Sequence, residues 1–311
     1  MQWSRPNATG ITPPGLAQHS AVAVGGTVYF IGGNLAAQGS SPFADVLTFD
    51  TESMVWNMPR VSGSGPPGRI GLTCVAVDDR ILAFGGTDGS QYYQDLYILN
   101  TKTMGWTLQK TVGQGPGPRK GASAHVVNGK VVIFGGSNGS ALSDVFFLDV
   151  ETSQWTAAQC KGQLPQPRLF HDGVVAGTKI AYFGGSDARI CFPDVDIFDT
   201  ATCSWSHRQL LSSKCRAAHT TTGLGRLALL FGGLNSDEWV NDLDVLNLAT
   251  SGWEKVHTWG AEPSPRGLHT TTLVDSRLFV FGGTDGADVF NDLYILDLGC
   301  YSHLVLETVE L

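Results

Sequence analysis

Short apolar runs punctuate this chain, and six of them end on a Gly-Gly pair: VYFIGG at Gly33, ILAFGG at Gly86, VVIFGG at Gly136, IAYFGG at Gly185, LALLFGG at Gly233 and LFVFGG at Gly283. The steps between them are 53, 50, 49, 48 and 50 residues. Runs this short, rich in β-branched and aromatic residues and bounded by Gly and Pro, read as strands and not helices. One sheet cannot bury both its faces alone. A β-rich unit recurring at a period near fifty therefore predicts sheets stacked around an axis, a propeller.

The polar positions keep the same register. Each pair is followed by an Asx residue (Asn34, Asp88, Asn138, Asp187, Asn235, Asp285) suited to a turn. Then comes an Asp that opens a second β-prone run: Asp45, Asp95, Asp144, Asp194, Asp242 and Asp292. Eleven residues after the first five of these stand Trp56, Trp106, Trp155, Trp205 and Trp253. Upstream of the apolar runs, Pro- and Gly-rich turns end in Arg69, Arg119, Arg168, Arg216 and Arg266. Three residues past that slot lie His171, His219 and His269; His19 holds the place in the first unit, Leu72 and Ala122 in the next two. Trp3 precedes His19 by the 16 residues that also separate Trp155 from His171, so it reads as an outer strand closing the last blade. The alternative is that the C-terminal HLVLETVEL segment, starting at the empty Trp slot His303, closes the ring.

The Gly-Gly strand and the downstream Asp, six times in register, with the spaced Trp after five of them, resemble the kelch repeat over essentially the whole chain. The resemblance implies an all-β, six-bladed kelch propeller with four antiparallel strands per blade. Its units fall near 14–63, 64–113, 114–162, 163–211, 212–260 and 261–311, with 1–13 completing the last blade. It is read as a single domain spanning 1–311.

Composition narrows the function classes. Net charge is −8, with no basic run, so neither nucleic acid nor an anionic membrane is an expected partner. The first residues lack the apolar stretch of a signal peptide, and no run approaches a membrane span. The six cysteines show no CxxC spacing, which fits a reducing compartment, cytoplasmic or also nuclear, and suggests no metal or cofactor. GxGxxG at Gly63–Gly68 contains Pro66 and Pro67 and leads into a strand, so it supplies no phosphate cradle. HExxH, GxSxG and Walker patterns are absent. A metal held by the four histidines would need rings on different blades to converge on one point.

In a four-stranded meander, the Gly-Gly-to-Asp loops and the arginine-ended turns emerge on one face. Loops on a rigid scaffold are where binding usually resides. Arg69, Arg119, Arg168, Arg216 and Arg266 are accordingly expected to ring that face. They could clamp an acidic or carboxylate-bearing peptide, since guanidinium forks grip carboxylates; some kelch proteins bind such peptides there. The plainer reading is that they are structural and pair with the Asx of neighbouring loops. Departures from the repeat point elsewhere on the same face: Tyr92 and Trp239 stand where other units have Pro42, Ala141, Cys191 and Val289, and Gln91, Arg189, Asp237 and Glu238 are peculiar to their loops. Trp, Tyr and Arg dominate binding hot spots. The expected function is a protein-interaction module of adaptor or substrate-recognition type. By resemblance, its partner would be a protein or peptide such as a ubiquitin-ligase component or a cytoskeletal protein. The competing readings are a small-molecule isomerase or hydrolase-like enzyme using the mouth, and a cytoskeleton-associated scaffold. No catalytic motif supports the enzyme.

Overall fold

The computed structural model describes residues 1–35, 41–208, 215–254, 256–299 and 301. No α-helix occurs among them, and six antiparallel sheets account for almost all of the regular structure. Blade 1 uses Ser20–Val24, Thr27–Ile31, Val46–Asp50 and Val55–Asn57. Blade 2 uses Thr73–Val77, Arg80–Phe84, Leu96–Asn100 and Gly105–Gln109. Blade 3 follows with Ser123–Val127, Lys130–Phe134, Val145–Asp149 and Gln154–Ala157, and blade 4 with Asp172–Ala176, Lys179–Phe183, Val195–Asp199 and Ser204–Arg208. Blade 5 has Thr220–Leu224, Leu227–Phe231, Leu243–Asn247 and Gly252–Glu254.

Blade 6 takes three strands from the end of the chain, Thr270–Val274, Arg277–Phe281 and Leu293–Asp297. Its fourth is Gln2–Ser4, antiparallel to Leu293–Asp297 with Trp3 opposite Leu296. The N-terminal strand thus closes the ring, as the Trp3 spacing predicts. The HLVLETVEL segment, with His303, lies outside the described residues. In three places the segment that follows one blade's outer strand pairs in parallel with the outer strand of the next blade, in blades 1, 3 and 6: Gly10 opposite Trp56, Gly113 opposite Trp155, Gly260 opposite Trp3.

The second strand of each blade is apolar at every interior position because neighbouring blades cover both of its faces. Val131, Val132, Ile133 and Phe134 are all buried, and so are Leu278 to Phe281. The tryptophans work between blades. Trp56 of blade 1 lies 4.9 Å from Phe281 of blade 6, Trp205 4.9 Å from Phe134 of blade 3, and Trp3 5.1 Å from Phe231 of blade 5, centroid to centroid. Each such ring buries roughly 200 Å².

A repeated hydrogen bond explains the Gly-Gly pairs. The second glycine donates its N–H to the carbonyl of the arginine slot in the following blade: Gly33 to Arg69, Gly86 to Arg119, Gly136 to Arg168, Gly185 to Arg216, Gly233 to Arg266. Gly283 closes the circle on Leu16. Reaching that carbonyl requires positive φ at both glycines and a backbone approach that a Cβ would block.

Candidate functional site at the channel mouth

Inner strands run away from the face that carries the Gly-Gly loops and the Pro/Gly turns, so both sets of loops do share one rim. The five arginines sit there, but as structure. Arg69, Arg119, Arg168, Arg216 and Arg266 are all at most 4% exposed. Each folds back onto the Asp that opens the third strand of its own blade. Arg168 holds Asp194 at 2.9 Å, Arg266 holds Asp292 at 2.6 Å, and Arg69 and Arg119 grip Asp95 and Asp144 through both terminal nitrogens. Four of them also donate to the carbonyl of the first glycine of the pair (Gly85, Gly135, Gly184, Gly282).

This corrects two expectations. These guanidinium groups have no fork free for a ligand, so a peptide clamp built from Arg69, Arg119, Arg168, Arg216 and Arg266 does not exist in this structure. Their partners are also the strand-opening aspartates, not the turn-forming Asx residues of neighbouring loops. The Asx residues do make the expected turns: Asp88 accepts the N–H of Ser90 and Gln91, and Asp187, Asn235 and Asp285 act in the same way.

Two features of the clamp are not readable from the sequence. In blades 2, 4 and 6 the aromatic residue two before the Asp stacks on the guanidinium: Tyr93 on Arg69 at 3.8 Å, Phe192 on Arg168 at 4.7 Å, Phe290 on Arg266 at 4.3 Å. Two after the Asp, blades 2, 3 and 6 add Tyr97, Phe146 and Tyr294 over the same group. Blades 4 and 5 place carboxylates there instead, Asp196 and Asp244, at 2.8 and 2.7 Å from their arginines. Blade 1 has no arginine; Leu16 and Leu47, both fully buried, fill the two positions in one apolar cluster. Asp194, Asp196 and His207 come within 4.8 Å of one another, a spacing compatible with a metal ion. Arg168 already bridges both aspartates there, so their charge is partly balanced by protein.

The loop departures remain accessible. Arg189 and Ile190 are exposed at the tip of the blade 4 loop, Ile190 to 60%. Gln91, Asp237 and Glu238 are exposed, and Tyr92 and Trp239 half-buried. Trp239 leans across to blade 6, where a side chain at Gly267 or Gly286 would strike its indole, so part of its surface is spent on blade contact.

Inside the rim lies a channel cavity of about 340 Å³, lined by the starts of all six inner strands. The four histidines of the repeat line it. Three of them reach one blade back to a hydroxyl: His19 to Thr270 at 2.8 Å, His171 to Ser123 at 2.8 Å, His269 to Thr220 at 3.0 Å. Burial disfavours protonation and lowers His19 and His219 to about 3, His171 and His269 well below their usual range. They are neutral hydrogen-bonding rings at physiological pH.

A model of the family described as "KLHDC2/KLHL20/DRC7 Kelch-repeats domain" matches residues 1–185 and 171–309. The chain belongs to the kelch-repeat family. Kelch propellers generally serve as protein-interaction modules. Among relatives, "Rab9 effector protein with kelch motifs" of Mus musculus is 34% identical over 90 residues, 28% of this chain and 23% of that protein. "Kelch domain-containing protein 3" of Bos taurus is 35% identical over 79 residues, 25% of this chain and 20% of its own length. "Rho GTPase-activating protein gacHH" of Dictyostelium discoideum is 32% identical over 92 residues, 28% of this chain and 6% of that protein. The matches thus span less than a quarter of each of these relatives.

Proposed function

We propose that this kelch propeller binds a protein partner on its mouth face, as an adaptor that presents one protein to another. The carrying observation is the blade 4 loop, where Ile190 stands 60% exposed beside an exposed Arg189. An apolar group and a guanidinium side by side, on a rim otherwise fixed by the repeat, have the character of a protein-binding hot spot. Tyr92 and the free part of Trp239 extend the surface on blades 2 and 5. With the five repeat arginines held within their own blades, Arg189 is the group that would meet an acidic or carboxylate-bearing segment of the partner. A relative whose name makes it a Rab9 effector supports a protein as the class of partner.

The test compares proteins captured from lysate by the intact chain, by Arg189→Glu/Ile190→Ser, and by Lys102→Glu on the opposite face. A partner kept by the Lys102 variant and lost at least tenfold by the double variant is the expected result. Partners that bind all three alike would move the interface off the mouth and overturn the reading.

A further inference from the structure

One place in the channel breaks the repeat. The residue that opens the inner strand is Ser20, Thr73, Ser123, Thr220 or Thr270 in five blades, and Asp172 in blade 4. Its carboxylate does the hydroxyl's structural task. Asp172 Oδ2 accepts the N–H of Thr221 in the next blade at 2.6 Å, as Ser20 Oγ accepts that of Cys74 at 3.0 Å. Asp172 Oδ1 accepts the N–H of Gly173 at 2.8 Å. Among the described residues no cation meets it: the cavity lining contains no Lys or Arg, and the nearby Arg168 and Arg216 are held by Asp194 and Asp196, and by Asp242 and Asp244.

The break has a second side. His219 is the one repeat histidine whose partner slot, one blade back, is this aspartate and not a hydroxyl. It is 5% exposed, and its Nε2 has no hydrogen-bond partner. Thr221 Oγ1, on the same cavity wall, is buried and equally without a partner. Neither ring nitrogen of His219 has a hydrogen-bond partner, so nothing in the fold prevents the neutral tautomer whose Nε2 is an acceptor. One cavity wall therefore offers a carboxylate with spare lone pairs, an imidazole acceptor and a hydroxyl oxygen.

We infer that this wall is a binding site for a protonated primary amine. An ammonium group carries three N–H donors and one positive charge. Asp172, His219 Nε2 and Thr221 Oγ1 answer those three donors, and Asp172 answers the charge in a cavity where the other titratable side chains are neutral. Those side chains are His19, Cys74, His125, His171, His219 and His269, with the Tyr182 ring packed behind His125 and His171. The amine is either a small molecule or a lysine side chain of a bound protein. The site does not rest on the mouth-face reading above, since a free amine fills it without any partner.

The test titrates n-butylammonium chloride into the full chain by calorimetry, with n-butanol and tetramethylammonium as controls lacking the charge or the N–H donors. Burial raises Asp172 to about 7, and only its ionised form attracts an ammonium. The ionised fraction falls about tenfold from pH 8 to pH 6, so butylammonium binding is expected to weaken by about tenfold over that range. Neither control should bind. Asp172→Ser restores the residue of blades 1 and 3 and gives His219 a hydroxyl; it should lose amine binding while unfolding at the same temperature or higher. A peptide with one central lysine that binds tenfold tighter than butylammonium identifies a protein lysine as the source, and equal affinity identifies a small amine. No saturable binding by the intact chain, or binding independent of pH and unchanged in Asp172→Ser, overturns the site.

Discussion

At the residue scale, the same side chain carries opposite meanings according to whether its charge is already answered. Arg168 is fully buried, bridges Asp194 and Asp196, and donates to the Gly184 carbonyl. Removing it would strip both aspartates of their cation and leave the buried Asp196 only His207, a change that costs about 3–5 kcal/mol where a buried pair is broken. Arg168→Leu is expected to lower the urea midpoint accordingly, whereas Arg189→Leu, on an exposed loop, should leave it within error. The five repeat arginines are legible in sequence as a ring, but their pairing is not. Spacing places Arg and Asp 25 or 26 residues apart in the five units that have the arginine, yet only the strand pairing reveals that they meet. Asp172 escapes notice for a related reason: it differs from Ser or Thr by no change in hydropathy pattern. Its signal lies in the alignment of the six units, at the position directly after the His slot.

At the scale of the blade, the Gly-Gly pair is a joint. The first glycine turns the chain, and the second ties it to the next blade's arginine-slot carbonyl. Gly184 has φ of +56°, and a Cβ there would overlap the Arg216 carbonyl. Gly129 has φ of +74° in a turn between strands with nothing within 4 Å of its would-be Cβ. Gly129→Ala should therefore cost only the backbone term, about 1 kcal/mol. Gly184→Ala adds displacement of a neighbouring blade and should cost at least twice as much in thermal or chemical unfolding. Blades are the most legible level of this protein. Six runs ending in Gly-Gly, each with its Asp and five with the spaced Trp, fix strand order and face. What they leave unspecified is how each blade balances its clamp: by an aromatic lid in blades 2, 3 and 6, by a second carboxylate in blades 4 and 5, by the Leu16–Leu47 pair in blade 1.

At the scale of the whole molecule, the ring is held shut by a strand of three residues. Trp3, 3% exposed, packs against Phe231 and belongs to the apolar cluster joining blades 5 and 6. Trp3→Ala should destabilise the protein by about 3–5 kcal/mol. Because the loss falls at the seam, it should unfold all six blades in one transition; a separate early loss of blade 6, seen by hydrogen exchange, would contradict that. The closing strand followed from the 16-residue step between Trp3 and His19, and the shared face from the strand order of a four-stranded meander. The charge state of the mouth did not, because it depends on which groups the packed blades neutralise.

The seam also sets a timetable for biosynthesis. Trp3 is made about 290 residues ahead of Leu296, the backbone it must pair with. At roughly 5–20 residues per second the interval is on the order of 15–60 s. Throughout it the opening strand has no sheet to join, and its indole has only the chain's own nascent blades, or a chaperone, to shield it from water. Partial rings with an unpaired edge are the species a cell making this protein must protect.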